Sequence, residues 1–132
     1  MLTKAAKRLN KLRRGNIEHS YQQELPWSVP HDFTVAVTTF VLCTMKDTQP
    51  VIEEIRRHLR VGAKLILFEF GRSSDSLLYK VEKAINPLTK MLFGVDFDRK
   101  PTIELIGPEW KLVDINWVFG GMIYQAMIER TE

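Results

Sequence analysis

Cysteine is almost missing from this sequence of 132 residues, with Cys43 standing alone. A single thiol excludes an internal disulfide and fits a reducing compartment. The histidines number three, His19, His31 and His58, and are scattered, so no metal-ligand spacing is present and a zinc site is not expected. No apolar run is long enough to cross a bilayer. No charged-then-apolar start resembles a signal peptide, so the expected location is the cytoplasm. Glycine is sparse at seven residues, and no G-x-G occurs anywhere in the chain. Acids are missing from the start: residues 1–14 carry Lys4, Lys7, Arg8, Lys11, Arg13 and Arg14, and the first acid is Glu18.

The net charge of +3 therefore conceals a basic start and a net acidic remainder. Leu2, Ala5, Ala6, Leu9 and Leu12 share one face of a helix over residues 2–14, with the bases opposite. Such a segment suits phosphate, nucleic acid or a membrane surface. A solvated helix face is the simpler expectation, because the rest of the chain is not basic.

Gly15-Asn16 stops that helix, a short strand near Ile17–His19 follows, and a loop runs through Pro26 and Pro30. Phe33–Leu42 is almost wholly apolar or β-branched, which predicts a strand buried on both faces, as in a parallel sheet. Asp47 stands as the N-cap of a helix with Pro50 in its first turn, and Val51, Ile52, Ile55 and Leu59 form its inward face. Lys64–Phe70 reads as a second buried strand, completing a right-handed strand–helix–strand unit. Leu77, Leu78, Val81, Ala84, Ile85 and Leu88 recur at helical spacing, expected first as core and otherwise, with Met91-Leu92-Phe93, as the cover of a greasy acceptor. A short helix near Thr102–Ile106 follows a looser segment. Lys111–Phe119 and Met122–Arg130 flank Gly120-Gly121, the signal of an antiparallel hairpin. The fold class is α/β: a sheet of parallel strands finishing in one antiparallel hairpin, with flanking helices.

Three segments carry a resemblance: DFTVAVTTFVLCTMKD at 32–47, IEEIRRHLRVGAKLILFEFGRS at 52–73 and NPLTKMLFGVDFDR at 86–99. In order and spacing they resemble class I S-adenosylmethionine (SAM)-dependent methyltransferases of small molecules and lipids, related to the ubiquinone/menaquinone-biosynthesis and phosphatidylethanolamine methyltransferases. The resemblance implies a partial Rossmann-like methyltransferase sheet, the equivalents of strands 4-5-7-6 of the family order 3-2-1-4-5-7-6. Val61-Gly62-Ala63 departs from the family's Pro-Gly-Gly turn, and Tyr21 stands where the family has an adenine-binding Asp. Met1-Leu2-Thr3-Lys4-Ala5 resembles the start of the helix after the family's second strand. On that reading residues 1–30 are a remnant of the cofactor half and residues 31–132 the C-terminal half of the domain. The chain is then a truncated frame, the favoured history, or one half of a split enzyme.

The resemblance implies SAM as cofactor, with Thr38, Thr39 and Phe40 at the end of the central strand beside its methionine part, and Leu25 and Trp27 bordering the adenine. For the threonine side chains, simple β-branched packing is the equal alternative. Glu69, Arg72 and Arg99 are the substrate-side candidates. Glu69 lies inside an apolar strand and needs a partner; either it pairs with Arg72 or Arg99, or an arginine holds a phosphate or carboxylate of the acceptor. Methyl transfer needs alignment and desolvation more than acid–base groups, and no catalytic residue is assigned. His58 reads as a surface residue and Cys43 as a small apolar packer.

Three readings follow. The chain is an enzyme fragment for a small-molecule, quinone or lipid acceptor, incompetent for SAM without a glycine-loop segment. Alternatively it is a non-catalytic methyltransferase-like subunit that pairs with an N-terminal-half partner, or with itself, through the Val35–Leu42 edge. The third is an adaptor using residues 1–14 on nucleic acid or anionic lipid, of which nucleic acid is the less expected.

Overall fold

The computed structural model describes Lys7 and residues 25–71, 76–94, 102–104 and 106–132. The expected helix 2–14 (apart from Lys7), the strand near Ile17–His19, Arg72 and Arg99 lie outside these residues.

The β-branched run builds strand β1, Phe33–Thr39, but the strand stops three residues short of Leu42. Phe40 takes a φ of 52°, which an extended strand cannot contain, and the chain turns into a short 3-10 helix at Leu42–Thr44. Helix α1, Gln49–His58, begins with Pro50 in its first turn. Asp47 accepts the Gln49 amide at 3.0 Å, while the N-cap itself is Thr48, one residue later than expected. Strand β2, Leu59–Phe70, starts directly from the helix, five residues before the expected Lys64. Helix α2 spans Ser76–Phe93 and a 3-10 turn Thr102–Glu104. Strands β3, Trp110–Val118, and β4, Ile123–Arg130, form the expected hairpin. Its turn runs through Phe119, Gly120 and Gly121 with φ of 51°, 64° and 90°, a run of left-handed conformations for which two glycines are suited.

The four strands lie in the order β1-β2-β4-β3. β1 and β2 are parallel, with Ala36 opposite Leu65 and Thr38 opposite Leu67; β4 is antiparallel to both β2 and β3. The sheet is therefore the expected parallel pair closed by an antiparallel hairpin, in the strand order expected from the resemblance.

One face of this sheet carries the core. Ala63, Leu65 and Leu67 of β2 and Tyr124, Ala126 and Ile128 of β4 are buried with Ile52 and Ile55 of α1 and with Leu42. Each such leucine or isoleucine side chain contributes about 1.5–3 kcal/mol through burial. The alternate residues of β2, Lys64, Ile66, Phe68 and Phe70, are only half-buried, so the strand is not sealed on both faces as its apolar run suggested. On the outer strand Val37 remains 60% exposed. Arg130 fastens the far end of the sheet to α1 by donating to the Arg56 carbonyl at 2.8 Å and to the Leu59 carbonyl, placing a cation at the helix C-terminus.

Two expectations are corrected. His58 is buried, because its ring stacks on His31 at 4.5 Å and on Trp27 at 6.2 Å. Both ring nitrogens also meet acceptors: Nδ1 the Pro30 carbonyl at 3.0 Å and Nε2 the Glu54 carboxylate at 3.2 Å. The apolar stripe of α2, expected as core, faces solvent instead, and the helix turns Glu82 inward.

Candidate functional site

The carboxyl ends of the parallel strands β1 and β2 hold the most constrained group of residues in the described chain. In parallel α/β sheets ligand loops gather at this end. Glu69, next to last in β2, points to the core face between Leu67 and Gly71 and is fully buried. A carboxylate there is costly unless its oxygens are matched by donors. They are matched: Oε1 accepts from the Thr38 hydroxyl and from the Val41 and Leu42 amides, each at 3.2 Å, and Oε2 accepts the Cys43 amide at 3.1 Å. Hydrogen bonds to a charged acceptor contribute about 1.5–3 kcal/mol each. One side chain thus holds three successive amides of the turn that leaves β1.

Phe40 is the hinge of that turn. A left-handed φ in a bulky residue costs of order 1–3 kcal/mol and persists only where the surroundings fix it. Here the Phe40 amide donates to the Phe68 carbonyl at 2.8 Å. Its ring lies 5.1 Å from Phe68, edge-on, and 4.7 Å from Phe70. Phe40 and Val41 remain partly exposed, which leaves an apolar shelf at the strand end. Gly71 closes the same end: a Cβ there would stand 2.6 Å from Trp117 Cζ3, and its amide donates to the Met122 carbonyl at 2.8 Å.

Two hydrogen-bearing groups nearby, the Cys43 thiol and the Tyr124 hydroxyl, are weak acids. The Cys43 thiol is pushed up to about 12, first by burial and then by its hydrogen bond to Glu69. The Tyr124 hydroxyl is pushed up to about 12, chiefly by burial. Neither ionises near neutral pH. Among the described residues no group of three or more His, Cys, Asp or Glu could hold a metal ion.

The structure joins Thr38 to Glu69 by a hydrogen bond and sets Phe40 against Phe68 and Phe70 at the same strand end, while Thr39, the last residue of β1, is exposed. Leu25 and Trp27 are elsewhere. The Trp27 amide donates to Glu54 at 2.6 Å and its ring stacks on His58, the last residue before β2, so it sits at the amino end of the strands, opposite Phe40. Leu25 is exposed two residues before it. Arg72 and Arg99 lie outside the described residues, and the partners seen for Glu69 are the Thr38 hydroxyl and main-chain amides. Reading the sequence missed Val41–Cys43 as donors; the one signal was an acid in an otherwise apolar strand, which had to be answered by something.

No protein-family model matches the chain, and no curated protein does. Solved structures do. LaPhzM superposes with a TM-score of 0.66 at 18% identity, covering 97% of this chain and 39% of LaPhzM. The mitomycin 7-O-methyltransferase MmcR gives 0.52 at 17% identity, over 79% of this chain and 31% of its own. A structure described under the conversion of a disulfide bond into a thioacetal group during echinomycin biosynthesis gives 0.50 at 11% identity, over 77% of this chain and 50% of its own. At these identities the likeness is one of fold. The chain has a partial methyltransferase-like α/β fold and spans half or less of the length of these neighbours.

Proposed function

We propose that the chain is the acceptor-side portion of a SAM-dependent methyltransferase acting on a small-molecule, quinone or lipid acceptor. One observation carries this: the turn after β1 is held by Glu69 in a strained shape at the carboxyl end of a parallel pair, within a methyltransferase-like fold. Strain kept at a strand end is characteristic of ligand sites.

The residues present fit one part of the donor. Thr39, Phe40 and Val41 would border its methionine end, and Phe40 and Val41 supply an apolar wall. The Glu69 charge, buried close by, favours a sulfonium over a neutral thioether. Bound there, SAM would supply the electrophilic methyl group. This chain's own part is to align and desolvate, and alignment can account for several powers of ten in rate. The chain contains no G-x-G loop to bring backbone amides to the donor, so binding by the chain alone is expected to be weak. Arg72 and Arg99 remain the proposed acceptor-side cations.

An amide-resolved NMR titration of the chain tests this. With SAM, shifts confined to Thr38–Cys43 are expected, and smaller ones with S-adenosylhomocysteine, which lacks the positive sulfur. Shifts centred on Trp27, or none up to about 10 mM, remove the donor site.

A second reading, a non-catalytic methyltransferase-like subunit, is favoured by the outer edge of β1. Among the described residues that strand pairs only with β2, and Val35 and Val37 lie exposed along it. Such an edge recruits another strand. A stable dimer by light scattering that Val37→Lys converts to monomer, without SAM-dependent shifts, would support this reading over the first.

A further inference from the structure

We infer that helix α2 is a membrane-surface helix, with its outward apolar stripe seated in an anionic lipid leaflet. The stripe consists of Leu77, Val81, Ile85, Leu88, Met91 and Leu92, whose exposure runs from 40% at Ile85 to 75% at Met91. At 100° per residue these positions fall within an arc of about 120°. The opposite side turns inward, with Glu82 buried and Tyr79, Asn86 and Thr89 half-buried. The helix is thus reversed relative to an ordinary surface helix: its polar side packs and its apolar side faces outward.

Charge selects the occupant. Lys80, Lys83 and Lys90 are exposed, while Glu82, the one acid in the helix sequence, is buried. The accessible surface of α2 therefore combines a greasy stripe with positive charge only. That pattern suits a leaflet of anionic lipids, where the apolar residues enter the acyl boundary and the lysines reach phosphates. The helix is not long and apolar enough to cross a membrane, so it lies on the surface. The sequence of residues 1–14 repeats the pattern, six bases and no acid with leucines and alanines at helical spacing. This inference is independent of the methyl-transfer reading.

The test is cosedimentation of the full chain with phosphatidylcholine vesicles, with and without about 30% phosphatidylserine. The expected result is binding about ten-fold tighter to the anionic vesicles and weakened by salt. Val81→Glu, Leu88→Glu and Met91→Glu together should lose about ten-fold or more. These side chains are exposed, and the milder pair Leu88→Ser with Met91→Ser reads the same loss should the triple variant unfold. Absence of vesicle binding overturns the inference. So does undiminished binding by the variants, which would place the attraction in residues 1–14. So does a dimer by light scattering that the variants turn into monomers while vesicle binding is absent, which would assign the stripe to a second copy of the chain.

Discussion

The Glu69 carboxylate and the Cys43 main-chain amide meet at 3.1 Å although 26 positions separate them in sequence. The bond ties the end of β2 to the turn that leaves β1, and Val41 and Leu42 join it on the other carboxylate oxygen. A parallel pair offers no short loop that could hold its strand ends together. The side chain does that work across the ladder instead.

Removing the carboxylate should expose how much depends on it. Glu69→Leu leaves the buried amides of Leu42 and Cys43, and the half-buried one of Val41, without their acceptor, and a loss of about 3 kcal/mol is expected in urea denaturation. Glu69→Gln keeps one accepting oxygen and should lose less. Equal stability of Glu69→Leu and the parent chain would refute the role assigned to this residue.

The Cys43 thiol reports on the same turn. Burial and the hydrogen bond to Glu69 push it up to about 12, so the folded protein should resist iodoacetamide near neutral pH, while the urea-unfolded chain is alkylated readily. In Glu69→Gln the negative charge is gone and one accepting oxygen is left, and labelling followed by mass spectrometry should be faster than in the parent. Rapid labelling of the native parent would contradict the buried placement.

The opposite end of the strands has its own pH dependence. The Trp27 amide, before the His58 ring and the Arg57 charge, holds the Glu54 carboxyl below its ordinary value of 4.5. A carboxyl lowered in the folded state contributes stability that is present above that ordinary value. The contribution is lost as pH falls through the lower, folded value. Thermal melts in steps from about pH 7 to about pH 3 should show a steeper acid loss for the parent than for Glu54→Gln. Parallel curves would show that this carboxyl is not linked to folding.

Gly71→Ala should be destabilising although no unusual φ is involved. The added carbon would stand 2.6 Å from Trp117 Cζ3, 3.1 Å from the Gly121 carbonyl oxygen and 3.2 Å from Tyr124 Cδ1. Overpacking of this kind costs about 1–3 kcal/mol. A differential scanning calorimetry trace unchanged by the substitution would mean that the indole moves aside freely.

Much of the fold was legible in the sequence because it is written in local patterns. The apolar run from Phe33, the alternation either side of Gly120-Gly121 and Pro50 in a first turn each reflect backbone geometry acting within a few residues. The site was only partly legible. Thr38 does meet Glu69, but the end of β1 at Thr39 follows from the Phe40 conformation, whose amide is held by a strand some thirty residues downstream. Trp27 and His58 were misjudged for a related reason. The aromatic stack of Trp27, His58 and His31, and the acceptors at Pro30 and Glu54, are tertiary partners that no window of sequence reveals. In α2 the helical period was right, yet periodicity cannot say which side of a helix finds a neighbour.

Among the described strands, β2 alone joins the parallel pair to the hairpin, through its ladder with β4. Opening the chain between Gly94 and Thr102 would leave every ladder hydrogen bond within reach: β1–α1–β2 on one piece, the β3–β4 hairpin on the other, and a single seam of seven matched positions from Lys64–Glu129 to Phe70–Ile123 between them. The molecule is consequently a natural candidate for fragment complementation, in which two separately made peptides reassemble along one shared border.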